Sequence, residues 1–262
     1  ASSTRRASRR LAACSTAPTH SPLQLPGRLD VGRTLLSNGW ILSPAGTSVD
    51  LGDLPLGVRV SPDGKFAAVV NSGQGKQSVM IVNIPERRIL QTLPIRKSWM
   101  GVRFNHKGDK VYVSAGNDNA VNEYAFTHDT LTLTRSIVLG KKYPEEDISP
   151  ADIELSSNDS TMYLVTKGNN TLYAIDITSG TVSKKVQFSQ PLYSCLLDEK
   201  RRSVYASVWG AAQVAIVDLE SLLVKKLLSV GDHPNEMAQT KDGKRLFVAN
   251  ANNNSVSAID LE

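Results

Sequence analysis

Gly57-Val58-Arg59-Val60-Ser61-Pro62-Asp63-Gly64-Lys65-Phe66-Ala67-Ala68-Val69-Val70-Asn71, followed by Val79-Met80-Ile81-Val82-Asn83-Ile84, reads as three apolar runs punctuated by a tight turn and a polar loop. β-branched content marks the runs as strands, and Asp63-Gly64 supplies the positive φ that a short hairpin demands. The same phrase recurs along the chain. Its last copy keeps Lys241-Asp242-Gly243-Lys244, then Phe247-Val248-Ala249-Asn250 and Val256-Ser257-Ala258-Ile259-Asp260. Aligning the turn gives Ser61, Asn105, Ser156, Asp198 and Thr240, at steps of 44, 51, 42 and 42 residues. Short strands repeating every ~40–45 residues are the mark of a propeller blade.

Working outward, each copy resolves into strands a to d. The b strands are expected at 66–70, 111–114, 162–166, 204–208 and 246–249, and the c strands at 79–84, 120–124, 171–177, 214–219 and 255–261. Fourth strands follow at 89–94, 132–139, 181–188 and 223–230. The third copy turns on Asn158-Asp159, which tolerate left-handed backbone; the fourth has Glu199-Lys200 and is expected to turn differently. The fold expected is therefore all-β, a propeller of four-stranded antiparallel blades starting near 55, 99, 150, 191 and 234.

A blade buries its two flat faces only against its neighbours, so the copies should form a ring. Seven blades would need about 290 residues of repeat by the period of such folds. The repeats span 55–261, and 39–42 and 47–51 look like strands of a preceding blade, about five and a half blades in all. The expectation is a seven-bladed ring of which this chain is a fragment. The rival is a five-bladed ring whose last blade is closed by 47–52.

Charge separates an arm from a body. Residues 1–34 hold six arginines against Asp30, which accounts for the whole formal charge of +5, and the remaining residues balance at 24 basic and 24 acidic groups. The body at 35–262 is thus no basic nucleic-acid platform. Residues 1–34 read as a disordered basic leader or export-signal remnant: Arg5-Arg6 and Arg9-Arg10 precede Leu11-Ala12-Ala13-Cys14, which spells a lipobox without its apolar h-region. That motif raises a periplasmic or extracellular location with a lipid anchor on Cys14. No run of ~18 apolar residues marks a membrane span. With Cys14 and Cys195 as the only cysteines, a structural disulfide is not expected, and Cys195 reads as a buried, inert thiol.

Topology sorts the loops. The a–b and c–d turns share one face of the ring; the b–c loops and the connections between blades share the other. On that second face stand Trp99, Asn117, Asp118, Trp209, His233, Asn235, Glu236 and Asn250, the candidate ligand or partner surface. Asn and Gly there are also plain turn formers. His233 with Glu236 raises metal ligation, but the four histidines are scattered and no H-x-x-x-H or H-E-x-x-H spacing occurs, so no metal site is assigned. Glu145-Glu146-Asp147 offers oxygen ligands of the kind Ca²⁺ prefers, yet contiguous acids ordinarily form a solvated loop. No nucleophile elbow, phosphate loop or dinucleotide fingerprint is present, and neither a catalytic residue nor a cofactor is assigned.

The units resemble those of the YVTN (YncE-like) family of bacterial seven-bladed propellers, P-x-x-x-x-x-S-P-D-G-x-x-x-Y-V-x-N followed by V-x-V-I-D. More narrowly, the chain is similar to the N-terminal propeller of proteins that fuse such a ring to an alkaline-phosphatase-superfamily phosphoesterase. That narrower likeness rests on Asn38-Gly39-Trp40, Lys97-Ser98-Trp99, Ala115-Gly116-Asn117-Asp118-Asn119, Tyr193-Ser194-Cys195, Val208-Trp209-Gly210, His233-Pro234-Asn235-Glu236-Met237 and Ala249-Asn250-Ala251-Asn252. Asn105-His106-Lys107-Gly108 departs from Ser-Pro-Asp-Gly, and the fourth turn lacks glycine. The resemblance implies an exported protein, a ring completed further along and a phosphoesterase after it; no catalytic position of such a domain matches here.

The function expected is a non-catalytic scaffold, monomeric, presenting its loop face to its own C-terminal domain, to another protein or to a small ligand at the channel mouth. The alternative is a lactonase- or quinoprotein-like propeller enzyme with a metal or cofactor at the central channel.

Overall fold

Ser61 shows why the hairpins recur. Its hydroxyl donates to Asp63 Oδ1 at 2.6 Å and accepts from the Phe66 amide at 2.9 Å, so one side chain holds both ends of the turn. Ser156 with Asn158 and Thr240 with Asp242 repeat the arrangement at 2.7 and 2.5 Å. The residue three places after the turn position closes the hairpin in left-handed backbone: Gly64, Gly108, Asp159 and Gly243, with φ between 54° and 79°. The fourth turn is different, as its missing glycine implied. There Asp198 Oδ1 accepts the Arg201 amide, and the left-handed residue is Arg202, at φ 50°.

A computed structural model describes residues 25–30 and 32–262. They fall into two compact units, divided between Ser48 and Val49. In the first unit β1 (Gly27–Asp30), β2 (Arg33–Leu35) and β3 (Ile41–Leu42) form one antiparallel sheet. β1 and the first two residues of β2 lie within 1–34, the stretch expected as a disordered leader, and there Arg33 donates from Nε to Asp30 Oδ2 at 2.8 Å. The lipobox and Cys14 lie outside the described residues. Of the stretch 39–42 expected as a strand, Ile41–Leu42 forms β3 of this sheet, whereas 47–51 forms no strand.

The second unit carries five blades. The first is β4 (Pro55–Val60), β5 (Phe66–Asn71), β6 (Ser78–Asn83) and β7 (Arg88–Pro94). The second is β8 (Val102–Phe104), β9 (Lys110–Ser114), β10 (Ala120–Thr127) and β11 (Thr130–Val138). The third is β12 (Pro150–Leu155), β13 (Thr161–Thr166), β14 (Thr171–Asp176) and β15 (Thr181–Gln187). The fourth is β16 (Leu192–Asp198), β17 (Ser203–Val208), β18 (Gln213–Asp218) and β19 (Val224–Ser229). The fifth has three strands, β20 (Pro234–Gln239), β21 (Arg245–Asn250) and β22 (Ser255–Asp260). Within each blade consecutive strands pair antiparallel in sequence order. The fold is an all-β, propeller-type one.

Strand alternation explains the stacking, because successive side chains leave a strand on opposite faces. Val111 and Val113 of β9 meet Ala68 and Val70 of the first blade, while Tyr112 between them joins Met162 and Leu164 of the third. Tyr163 and Val165 join Val204 and Ala206 of the fourth, and Tyr205 joins Leu246 and Val248 of the fifth. Each buried Val, Leu or Ile contributes roughly 1.5–3 kcal/mol relative to exposure. On the fifth blade the alternate set has no such neighbour: Phe247 is 36% and Val256 64% exposed. No segment of 47–52 pairs with that blade, so the five-bladed closure considered from sequence is not formed. Leu51 instead packs with Ala67, Val69, Met80 and Val82 of the first blade.

The first strands abut one another in turn, β4 on β8, β8 on β12, β12 on β16 and β16 on β20, and so line the axis. Close approach is enforced by glycine. A Cβ on Gly57 would stand 2.0 Å from the Met100 carbonyl oxygen.

Candidate functional site

Two cavities open among the b–c loops and blade connections, and Trp99 belongs to both. The larger, about 280 Å³, is walled by Trp99, Pro191, Leu192, Tyr193 and Trp209, with Asp147, Ser149, Lys167 and Gly168 at its polar side. The smaller, about 150 Å³, adjoins Ser72, Gln77, Ser98 and Asn117. Trp99 sits in the connection between β7 and β8, held by Ser72, whose hydroxyl donates to the Trp99 carbonyl at 2.7 Å. Asn117 lies in a 3-10 turn after β9 and donates its backbone N–H to the Lys97 carbonyl at 3.2 Å. Trp209 opens the matching turn after β17, its amide bound to Pro191 O at 2.8 Å.

The cation common to both cavities is Lys167, which sequence reading missed; Asp147 adds a negative charge at the larger one and Lys97 a positive charge at the smaller. Lys167 follows β13, and its ammonium lies 3.5 Å from the centroid of the Trp99 ring. Desolvation by the surrounding walls holds its pKa below the ordinary lysine range, partly opposed by the nearby Asp147 carboxylate. Tyr193 meets Trp99 edge-on, with centroids 6.4 Å apart. Burial pushes its phenol pKa up. The loop bearing Asp147 and Ser149 is anchored from below by Asn119, whose buried amide donates to the Glu146 carbonyl at 2.8 Å and accepts from the Ser149 amide at 3.0 Å.

The remaining candidates divide by role. His233 stands edge-on to Trp209, centroids 3.9 Å apart, with its ring Nδ1 2.8 Å from both Asp232 and the Asn252 amide. Asn235 accepts from Trp209 Nε1 at 3.1 Å, so His233 and Asn235 back the tryptophan. Asp118 faces Arg96 and Lys142 at 3.7 and 3.4 Å, away from the aromatic walls. Asn250 is a correction: it is buried, and its amide spans Ser255 and Ser257 at 3.1 and 2.9 Å. Asn71 does the same to Ser78 in the first blade at 3.1 Å, which makes the amide ending the b strand a loop anchor. The acids of the 145–147 loop, for which a solvated loop was the expectation, bond locally: Glu146 Oε2 accepts the Lys141 amide at 2.9 Å and Asp147 accepts Ser149 Oγ at 2.7 Å. Among the described residues no group of three His, Cys, Asp or Glu side chains is placed to hold a metal ion.

Glu236 lies with a second set of residues that the sequence left unremarked. Arg59 and Arg103 stand two places before their hairpin turns and Glu154 occupies that position on the third blade; Asp152 and Glu236 stand two places further back. Alternation therefore turns Arg59, Arg103, Asp152 and Glu154 to the same side of the innermost strands, and Glu236, at an irregular register between Pro234 and Met237, reaches Arg59 at 3.7 Å. Arg103 pairs with Glu154 and donates from Nε to the Ile153 carbonyl at 2.9 Å. Burial pushes Glu154 up to about 7 and also raises Glu236, the neighbouring arginines opposing both. Cys195 is buried beside Asp152, and desolvation raises its thiol.

No family model matches the chain. Over 182 residues it is 25% identical to the uncharacterized protein YncE of Salmonella typhimurium, covering 68% of this chain and 49% of that protein. The chain thus spans about half the length of that curated relative. Among solved structures, a protein from Bacteroides uniformis described as a proposed 6-phosphogluconolactonase superposes with TM-score 0.67 at 16% identity, over 88% of this chain and 74% of that one. A functionally unknown protein from Desulfotomaculum acetoxidans gives 0.66 at 15%, over 79% and 68%. Hydrazine synthase of Kuenenia stuttgartiensis gives 0.58 at 16%, over 87% and 88%. The chain is thus similar to YncE in sequence and shares a propeller-type fold with these solved structures.

Proposed function

We propose that the chain is a non-catalytic binding propeller whose channel mouth, between Trp99 and Trp209, takes a small ligand or a segment of a partner. One observation carries this reading: Trp99 from the connection between the first two blades, and Tyr193 and Trp209 from the fourth blade, converge on a cavity of about 280 Å³ edged by one cation. Concave, largely apolar sites with a few convergent polar groups are where ligands bind. The likeness to propeller–phosphoesterase fusions supports an exported parent whose phosphoesterase domain docks on this face.

The test is a ligand screen on the purified chain, followed through the indole N–H signals of Trp99 and Trp209. Compounds that shift both signals, and lose affinity in Trp99→Ala while the variant still melts cooperatively, support the reading. Compounds that bind without shifting either indole would place the function elsewhere. The lactonase-like alternative draws only on the fold it shares with the Bacteroides protein. Hydrolysis of 6-phosphogluconolactone by the purified chain would favour it.

A further inference from the structure

Resting on that reading, we infer the ligand's chemical class: an apolar or aromatic body bearing a single carboxylate, its charge held by Lys167 and its body laid between Trp99, Tyr193 and Trp209. The apolar walls come from Pro191, Leu192 and three aromatic rings, which leave the body little to recognise but shape and hydrophobic area. Lys167 enters into no salt bridge within 4.0 Å among the described residues, although its ammonium edges both cavities. An unpaired cation over an indole face is a ready counter-charge for an anion.

Charge sign follows from the same geometry. A cationic ligand seeking the Trp99 face would find Lys167 already there, at 3.5 Å. A dianion such as a phosphate monoester would meet Lys167, and Lys97 at the smaller cavity, with Asp147 opposing them, too little net positive charge for two negative ones. Lys167, Lys97 and Asp147 together leave one positive charge, which one carboxylate balances. The smaller cavity adds a polar margin, because Trp99 Nε1 and Gln77 Oε1 are both shielded from solvent and have no partner among the described residues. Gln77 cannot turn its oxygen away, since its Nε2 donates to the Ser72 and Gly73 carbonyls at 3.2 and 3.0 Å.

The experiment compares 4-phenylbutyrate, 4-phenylbutanamide and 4-phenylbutylamine on the full chain, by calorimetry and by the indole N–H signals. The carboxylate is expected to bind about tenfold more tightly than the amide and to shift Trp99 and Trp209, a ratio in keeping with one charge-assisted contact. Lys167→Met should remove that advantage and leave amide affinity unchanged, while Lys167→Arg should retain it. Lys167 is exposed, so both variants are expected to keep the parent's melting temperature. Amide or amine binding as tightly as the carboxylate, with both indoles shifted, would overturn the ligand class and leave the binding face standing. An unchanged carboxylate affinity in Lys167→Met would do the same. If none of the three moves either indole, both readings fall.

Discussion

The guanidinium of Arg59, on the first blade, lies 3.7 Å from the carboxylate of Glu236, on the fifth. The same guanidinium is 3.7 Å from Asp152 on the third blade, so one side chain joins three blades at the axis. Desolvation among these strands raises the carboxyls of Glu154 and Glu236, with the arginines opposing it.

Glu154 makes this measurable. Its carboxyl is raised to about 7 when folded, against 4.5 as its ordinary value. A raised acid favours the folded state below its unfolded pKa, and that contribution is lost as pH rises through the folded value. Glu236, shifted in the same direction, adds to the effect. The melting temperature is expected to fall between about pH 5 and pH 8, and Glu154→Gln to shrink that fall by about 3 °C or more, for roughly 1 kcal/mol in a domain of this size. Equal falls in variant and parent would remove Glu154 from the account.

Two glycines in one hairpin should respond to very different degrees. A Cβ on Gly57 meets backbone 2.0 Å away, which cannot yield without parting the first two blades. Gly57→Ala is expected to lower the melting temperature by more than about 10 °C, a loss of several kcal/mol. Gly64, at φ 73°, has open space around it. Gly64→Ala should cost only about 1–2 kcal/mol of backbone strain. Comparable losses by thermal melting would refute the close approach.

Asn250 should behave as a structural residue. Asn250→Ala leaves Ser255 and Ser257 without their shared donor and is expected to cost about 1–3 kcal/mol. Affinity at the Trp99 cavity should stay within twofold of the parent's. Lost affinity with unchanged stability would return Asn250 to the binding face.

Trp209→Phe removes the Nε1 donor to Asn235 while keeping an aromatic ring against His233. A loss of about 1 kcal/mol is expected, read as a melting shift of about 2–4 °C. A larger shift would mean that the indole is a core element joining the fourth and fifth blades.

The architecture was legible because its causes are local. Ser61-Pro62-Asp63-Gly64 contains its own hairpin hydrogen bonds, and alternation in 66–71 states which side chains face which neighbour. The missing glycine at Glu199-Lys200 even announced a different turn. Trp99 and Trp209 were traceable to the mouth by sorting loops. Asn250 could not be separated from them, because an amide that anchors its own loop and one that meets a ligand look alike in sequence. Lys167 left no signal: a lone lysine after a strand reads as a solvated charge.

What the residues by themselves determined is the blade, since strand pairing and turn chemistry act over a few positions. What only the tertiary structure decided is which distant side chains share a space. Lys167 meets Trp99 from the next blade's loop, and Arg59 reaches Glu236 from the far end of the repeat. Such contacts depend on how the blades twist and stack around the axis, a packing outcome summed over the whole set of blades.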